Sequence, residues 1–230
     1  MLVKRYEMNR EGRDIGVGDI HGHFTLLHEA LVAIHFNPEV DRLFSVGDLI
    51  DRGPENTKAL EWLSKPWFYP VKGNHDDYIC RYDNDLLGRW PTETGKWFYD
   101  TFSEEEQAVW AAEFRKLPIA IEVETMHGRV GIVHAECILE SWKDLRKALL
   151  QPGNRKELKA IANSCMFSRR RAEEKYTKPV KDIYAVVVGH EPVKHVTKLG
   201  NVYYIDTKGW KPADGGKFTL FDLNTLQPLE

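Results

Sequence analysis

Three short stretches decide the fold: Gly18-Asp19-Ile20-His21-Gly22, Gly47-Asp48-Leu49-Ile50-Asp51-Arg52-Gly53 and Gly73-Asn74-His75-Asp76. Each follows a short β-like run, Arg13 to Val17, Arg42 to Val46 and Phe68 to Lys72, and each opens with a glycine before a polar residue. Glycine permits a sharp exit and a close backbone approach at such a point. Between the first two stretches, Leu26, Leu27, Ala30, Leu31 and Ile34 recur at helical spacing, so Thr25 to Ile34 reads as an amphipathic helix. Asn56 to Leu63 is a second helix. Strand, helix, strand, helix, strand implies parallel strands joined by crossover helices. In such a sheet ligands bind beyond the carboxyl ends of the strands, which lines Asp19, His21, Asp48, Asn74 and His75 along one edge.

The rest of the chain fits around this unit. Tyr78 to Lys116 has no strand signal and is rich in aromatics (Trp90, Trp97, Phe98, Tyr99, Phe102, Trp110), with a Ser103/Glu106 capping box ahead of a helix. It reads as a helical excursion from the sheet and as a candidate substrate cover, with Trp90 and Trp97 the residues to test. Strands return at Ile119 to Thr125, Arg129 to Val133, Ile183 to Val188, Val202 to Ile205 and Lys217 to Phe221. Gly128 suits a hairpin between the first two of these. Trp142 to Leu150 and Arg155 to Phe167 are helical. The expected architecture is a single-domain α/β sandwich over residues 1–230, sheets inside and helices outside, with an antiparallel section among the late strands.

Composition excludes several classes. The 230 residues, 42% hydrophobic and 29% charged, describe an ordinary globular chain with one core. A net charge of −3 suggests neither nucleic acid nor an anionic membrane as partner. Cys80, Cys137 and Cys165 are odd in number, far apart and without a CxxC, as expected of reduced buried thiols. Met1 to Arg13 carries no signal-peptide pattern, and the longest strongly apolar run, Ala185 to Val188, is far too short to cross a bilayer; cytoplasmic residence is the default expectation. No heptad or repeated apolar face argues for a dimer.

A lone Gly-Asp after a strand is ordinarily just a turn. Three such endings in a row, each with a metal-capable side chain, are a different matter. Their oxygen and nitrogen donors suit manganese, iron or zinc better than a thiol-preferring metal. The order GDIHG, GDLIDRG, GNHD resembles the calcineurin-like metallophosphoesterases, and DRG in the second block resembles the serine/threonine phosphoprotein phosphatases among them. Spacing, chain length and the aromatic middle are most similar to the bacterial and phage enzymes of the bacteriophage lambda phosphatase type. The resemblance implies an αββα sandwich of mixed sheets and two divalent transition-metal ions, manganese first and iron or zinc next. It assigns Asp19 and His21 to one ion, Asn74, His134 and His190 to the other, and Asp48 to both. His134 follows an apolar run, and His190 sits in a Gly-His pair after a late strand. Paired cations need a shared carboxylate to hold them about 3.5–4 Å apart, and such a pair makes a bridging water acidic enough to attack phosphorus.

The resemblance also makes His75 the general acid for the leaving oxygen, Asp51 its orienting partner, and Arg52 and Arg169 the phosphate-binding arginines; Arg170 and Arg171 can also be read as a solvated basic helix end. The implied substrate is a phosphoprotein or phosphopeptide carrying phosphoserine, phosphothreonine or phosphotyrosine. The chain departs from the family pattern in three ways. It reads GNHD, a spelling found also in the symmetrical dinucleoside tetraphosphatases, where many phosphoprotein phosphatases read GNHE. Glu191-Pro192 stands where Thr-Pro is usual, and Lys208 interrupts the glycine that normally follows Ile205-Asp206-Thr207. A dinucleoside tetraphosphate hydrolase is therefore the second expectation, favoured by Asp76 and opposed by Asp51, which those relatives tend to lose. A silent scaffold is the third, opposed by the full ligand set.

Overall fold

The computed structural model describes residues 1–81 and 92–229. In chain order the elements are β1 (Val3–Tyr6), β2 (Asp14–Val17), α1 (Phe24–Ala33), β3 (Arg42–Ser45), α2 (Ala59–Leu63), β4 (Phe68–Pro70), α3 (Asn74–Cys80), α4 (Thr92–Thr101), α5 (Glu104–Arg115), β5 (Ala120–Thr125), β6 (Gly128–Ile132), α6 (Trp142–Leu150), α7 (Arg155–Phe167), α8 (Arg170–Glu173), β7 (Ala185–Val188), β8 (Thr197–Leu199), β9 (Val202–Tyr204), β10 (Leu220–Asp222) and β11 (Gln227–Pro228). They form two mixed sheets, one of order β11-β10-β2-β3-β4, the other β1-β5-β6-β7-β9-β8. In the first, β2, β3 and β4 run parallel, as the alternating strands and helices require, and β10 returns antiparallel on the far edge of β2. In the second, β5 and β6 form the hairpin expected at Gly128, whose φ of 125° disfavours any other residue.

Strand alternation explains the layering. Phe44, Val187, Ile121, Val123, Val130 and Ile132 point between the sheets, with Ile205 and Phe221. Their strand neighbours Leu43, Val186 and Val188 point outward, onto helices. The α1–α5 side covers the first sheet with Phe24, Leu27, Trp62, Phe98, Trp110 and Phe114, and α6 and α7 cover the second with Trp142, Leu145, Cys165 and Met166. Each fully buried Leu, Val or Phe contributes about 1.5–3 kcal/mol of apolar transfer, so this four-layer stack carries the stability. Glu122 faces outward from β5, where the Trp142 indole donates to it at 2.8 Å and Arg129 and Arg146 each lie 3.7 Å away. The three cysteines are free and buried, and burial pushes each thiol up, Cys80 to about 11.

The helices Trp142–Leu150 and Arg155–Phe167 fall where the sequence puts them, and Ser103 caps α5 by accepting from the Glu106 amide. The aromatic middle differs in one respect: α3 extends from Asn74, so Tyr78 to Cys80 belong to the site-bearing helix rather than to an excursion. Trp90 lies outside the described residues. Strands β1, β8 and β11 were not expected. β1 pairs parallel with β5 through Val3↔Ala120 to Tyr6↔Val123, and Lys4 and Arg5 are exposed on it; an edge strand with two charged residues gives little periodic signal.

Candidate active site

The loops after β2 and β3 are stitched together before any side chain is considered. Ile20 and His21 donate their amides to the Asp48 carbonyl at 3.0 and 2.8 Å, and Gly22 donates to Leu49 at 2.9 Å. Asp76 ties in the third loop. Its carboxylate accepts from the amides of Asp48 (2.9 Å), Leu49 (2.9 Å) and Gly73 (2.8 Å), fully buried at the head of α3. This backbone lattice holds His21, Asp48, Asp51, Arg52 and His190 at positive φ, between 43° and 71°. Such conformations are costly for side-chain-bearing residues, persist only where the surroundings over-determine them, and cluster at functional sites. Gly73 and Gly189 are needed for space: a Cβ on either would lie 2.1 Å from an oxygen of Asp48 or Asp19 respectively.

The histidines are held by their far nitrogens. Nδ1 of His21 donates to the Ile50 carbonyl and Nδ1 of His134 to the Val46 carbonyl, both at 2.7 Å. That arrangement turns each Nε2 inward, as for metal-ligating imidazoles. His21 Nε2 is buried with no protein partner and sits 3.6 Å from Asp48 and 3.9 Å from Asp19. Around His134 Nε2 converge Asn74 Oδ1 at 3.0 Å, His190 Nδ1 at 3.2 Å and Asp48 Oδ2 at 3.4 Å. His21, Asp48 and His75 form one potential metal-holding group, and Asp48, His134 and His190 another, with Asp48 common to both. Asp19 joins through its Oδ1, which accepts from the His190 amide at 3.1 Å.

The electrostatics call for cations. Burial, then Asp206 and Asp48 nearby, push the Asp19 carboxyl well up. Burial also raises Asp206, to about 6. Asp48 is desolvated too, yet His134, His75 and His21 outweigh that and hold it well below the usual carboxylate range. Burial lowers His21 well below the ordinary imidazole value, while His134, equally buried, is lifted to about 9 by Asp48. Burial and His134 press His190 down to about 3. Buried carboxylates repelling one another, beside an orphaned imidazole nitrogen and converging lone pairs, fit resident divalent metals.

His75 stands beside this cluster. Its Nδ1 lies 2.6 Å from Asp51 Oδ2, and its Nε2 lies 4.0 Å from Asp48 and 3.4 Å from Arg52. Burial opposes its charge, but Asp48 and Asp51 prevail and hold it above the ordinary value. The other oxygen of Asp51 accepts from Trp97 Nε1 at 2.7 Å. Arg52 stacks over Trp210, 4.4 Å from ring centre, and the Trp210 indole donates to Asp206 at 3.2 Å.

The structure thus brings together Asp19, His21, Asp48, Asp51, Arg52, Asn74, His75, His134 and His190. Residues 15–220 match the model of the calcineurin-like phosphoesterases. The chain belongs to that family. It is a phosphoesterase hydrolase, from a family that uses divalent metals, and it carries the His/Asp cluster such metals need. It is 32% identical over 197 residues to serine/threonine-protein phosphatase 2 of Salmonella typhimurium, covering 83% of this chain and 85% of that one. It is 45% identical over 65 residues to the symmetrical bis(5'-nucleosyl)-tetraphosphatase of Pseudomonas syringae pv. syringae, 27% of this chain and 22% of the relative. The cold-active protein-tyrosine phosphatase of a psychrophilic Shewanella species shares the fold, with a TM-score of 0.61 at 18% identity over 96% of this chain and 78% of that one.

In this phosphoesterase Arg169 is engaged by Glu191, the residue that replaces the usual threonine, through Nη1 and Oε2. Arg170 is exposed and pairs with Glu174, as a solvated helix end should. Arg171 does not fit that reading: it is buried and donates to the carbonyls of Tyr176 and Lys178, both at 2.9 Å. His23 Nδ1 donates to the His21 carbonyl at 2.7 Å and braces the first loop. Trp97, Asp206 and Trp210 act at the site without having been singled out for these contacts. Asp206 does follow a strand, but the glycine that marks the other three exits is missing before it. No helix among the described residues is long and apolar enough to cross a membrane.

Proposed function

We propose that this phosphoesterase removes phosphate from phosphoserine and phosphothreonine, and from phosphotyrosine, in proteins. The observation that carries the reading is the acid assembly: His75 held by Asp51, and Asp51 held in turn by Trp97. A serine or threonine alkoxide is a poor leaving group and needs a proton as the P–O bond breaks. A nucleotide phosphate leaves readily without one. An acid fixed at two removes is therefore worth building for alcohol esters, and such proton transfer contributes about 10²–10⁴-fold. The names of the relatives that align along most of the chain support the same choice.

Asp19, His21, Asp48, Asn74, His134 and His190 would hold two divalent ions, manganese first among the candidates. When bound, the ions would supply Lewis-acid charge for the phosphoryl oxygens and a more acidic attacking water. The chain's own residues do the rest. Arg52, kept in place by Trp210, and Arg169 bind phosphate oxygens through their guanidinium forks. His75 delivers the proton from Nε2 to the leaving oxygen, while Asp51 fixes the tautomer by accepting from Nδ1.

Hydrolysis of dinucleoside tetraphosphates is the second reading, favoured by the local identity to the tetraphosphatases. Asp76 braces the loops in either reading, its carboxylate accepting from three backbone amides. The test compares kcat/KM on a phosphoserine peptide and on diadenosine tetraphosphate with manganese added. The peptide should be preferred; a clear preference for the dinucleotide overturns the proposal.

A further inference from the structure

The face of α3 that carries Asn74 and His75 looks into the site; Asp77, on the same helix, and Arg81, just past its end, line a separate cavity of about 510 Å³. Lys72, Arg155 and Lys159 contribute three further cations, and Leu2, Ile119, Leu158 and Met166 an apolar floor. Arg81 is already neutralised, paired with Asp77 and donating to Asn163 at 2.8 Å. The other three cations have no carboxylate within ion-pair distance among the described residues. Lys72 is the most telling, since it is only 8% exposed and the Cys80 thiol is its neighbour. Withdrawing a lysine from water without a counter-charge is unfavourable, and buried charges are ordinarily paired. The cavity is large enough for a small molecule, and it is positive in a chain of net charge −3.

We infer that this cavity behind α3 is a second binding site, for a small organic oxyanion whose phosphate or carboxylate meets Lys72, Arg155 and Lys159 and whose apolar body lies on Ile119, Leu158 and Met166. Lys72 supplies a point charge at the base, and Arg155 and Lys159, both exposed on one turn of α7, draw the anion in. The site is distinct from the metal cluster and takes its ligand whether or not the proposed phosphatase reading is right.

The test is amide chemical-shift mapping of the zinc-loaded protein with phenylphosphonate and, separately, benzoate. Shifts at Lys72, Arg81 and Arg155 to Asn163 are expected, with affinity falling about tenfold or more in the doubly reversed Arg155→Glu/Lys159→Glu variant. Response to phenylphosphonate alone identifies a phosphate ligand, to benzoate alone a carboxylate one. Lys72→Met should lose the binding and hold or raise Tm, because a buried unpaired charge is removed. Shifts confined to the catalytic loops, binding that persists in either variant, or a fall in the Tm of Lys72→Met overturns the inference.

Discussion

The loops after β2, β3 and β4 and the aromatic helices α4 and α5 are joined by the Trp97–Asp51 hydrogen bond and are built on opposite principles. The loops concentrate charge and strain: carboxylates are buried side by side, and His21, Asp48, Asp51 and Arg52 sit at positive φ. The helices concentrate apolar rings, with Trp97, Phe98, Phe102, Trp110 and Phe114 in mutual edge and stacked contacts. One region spends stability on chemistry and the other supplies it. Trp97 belongs to both, since its ring packs with Phe98 and Trp110 while its indole N–H holds Asp51. The contrast predicts that substitutions in the loops change rates and those in the helices change stability, with Trp97 able to do either.

Asp48→Asn should have the largest effect. It removes the charge common to both metal-holding groups, so turnover should fall on the order of 10³-fold or more, and bound metal measured by elemental analysis should drop with it. Tm of the metal-free protein should fall, though by less than for a core deletion, because His134 loses the carboxylate that lifts it to about 9 and can shed its proton; a Tm loss as large as a core deletion would break the comparison. Phe114→Ala, at a fully buried ring stacked on Trp110, should cost about 3–5 kcal/mol in chemical unfolding and leave the kcat of the folded fraction near that of the parent. His75→Asn should slow a phosphoserine peptide by about 10²-fold or more and p-nitrophenyl phosphate much less, with metal content unchanged. Equal slowing of both would remove His75 as the leaving-group acid. Trp97→Phe keeps the ring but deletes the donor to Asp51; the peptide should slow by about tenfold, as for loss of one hydrogen bond to a charged group, and the aryl ester should be spared. Glu191→Thr should have the smallest effect. Releasing Arg169 from a partly exposed ion pair should lower KM about two- to fivefold at constant kcat.

The sequence made the loops easier to read than the helices. Gly-Asp and Gly-Asn after successive strands are local signals, and they lead to Asp19, Asp48, Asn74 and His75 directly. His134 and His190 needed the family resemblance, because each follows an ordinary apolar run and only the tertiary fold carries it to Asp48. The Trp97–Asp51 contact joins positions 46 residues apart and leaves no local trace. Arg169 was legible as a cation near the late strands, but its pairing with Glu191, 22 positions away, was not. Asp76 was visible through its spelling, but its role as a brace for the loops, accepting from three backbone amides, was not. The strand β1 was missed because its two charged residues break the alternation, and only pairing with β5 makes it a strand.

That pairing of β1 with β5, and of β2 with β10, also has a consequence for how the protein comes off the ribosome. Val3 waits for Ala120, and Val17 waits for Leu220, before either strand has its neighbour. The β2–β3–β4 unit can form early from local crossovers, but the outer edge of β2 stays open until β10, about 200 residues later, has been made. Contacts this distant in sequence are slow to close, and an unpaired edge is open to other chains meanwhile. His190 joins the same unit only near the end. Nascent chains arrested before position 190 should therefore present a half-built edge rather than a weak enzyme, and should depend on chaperones in proportion to the delay.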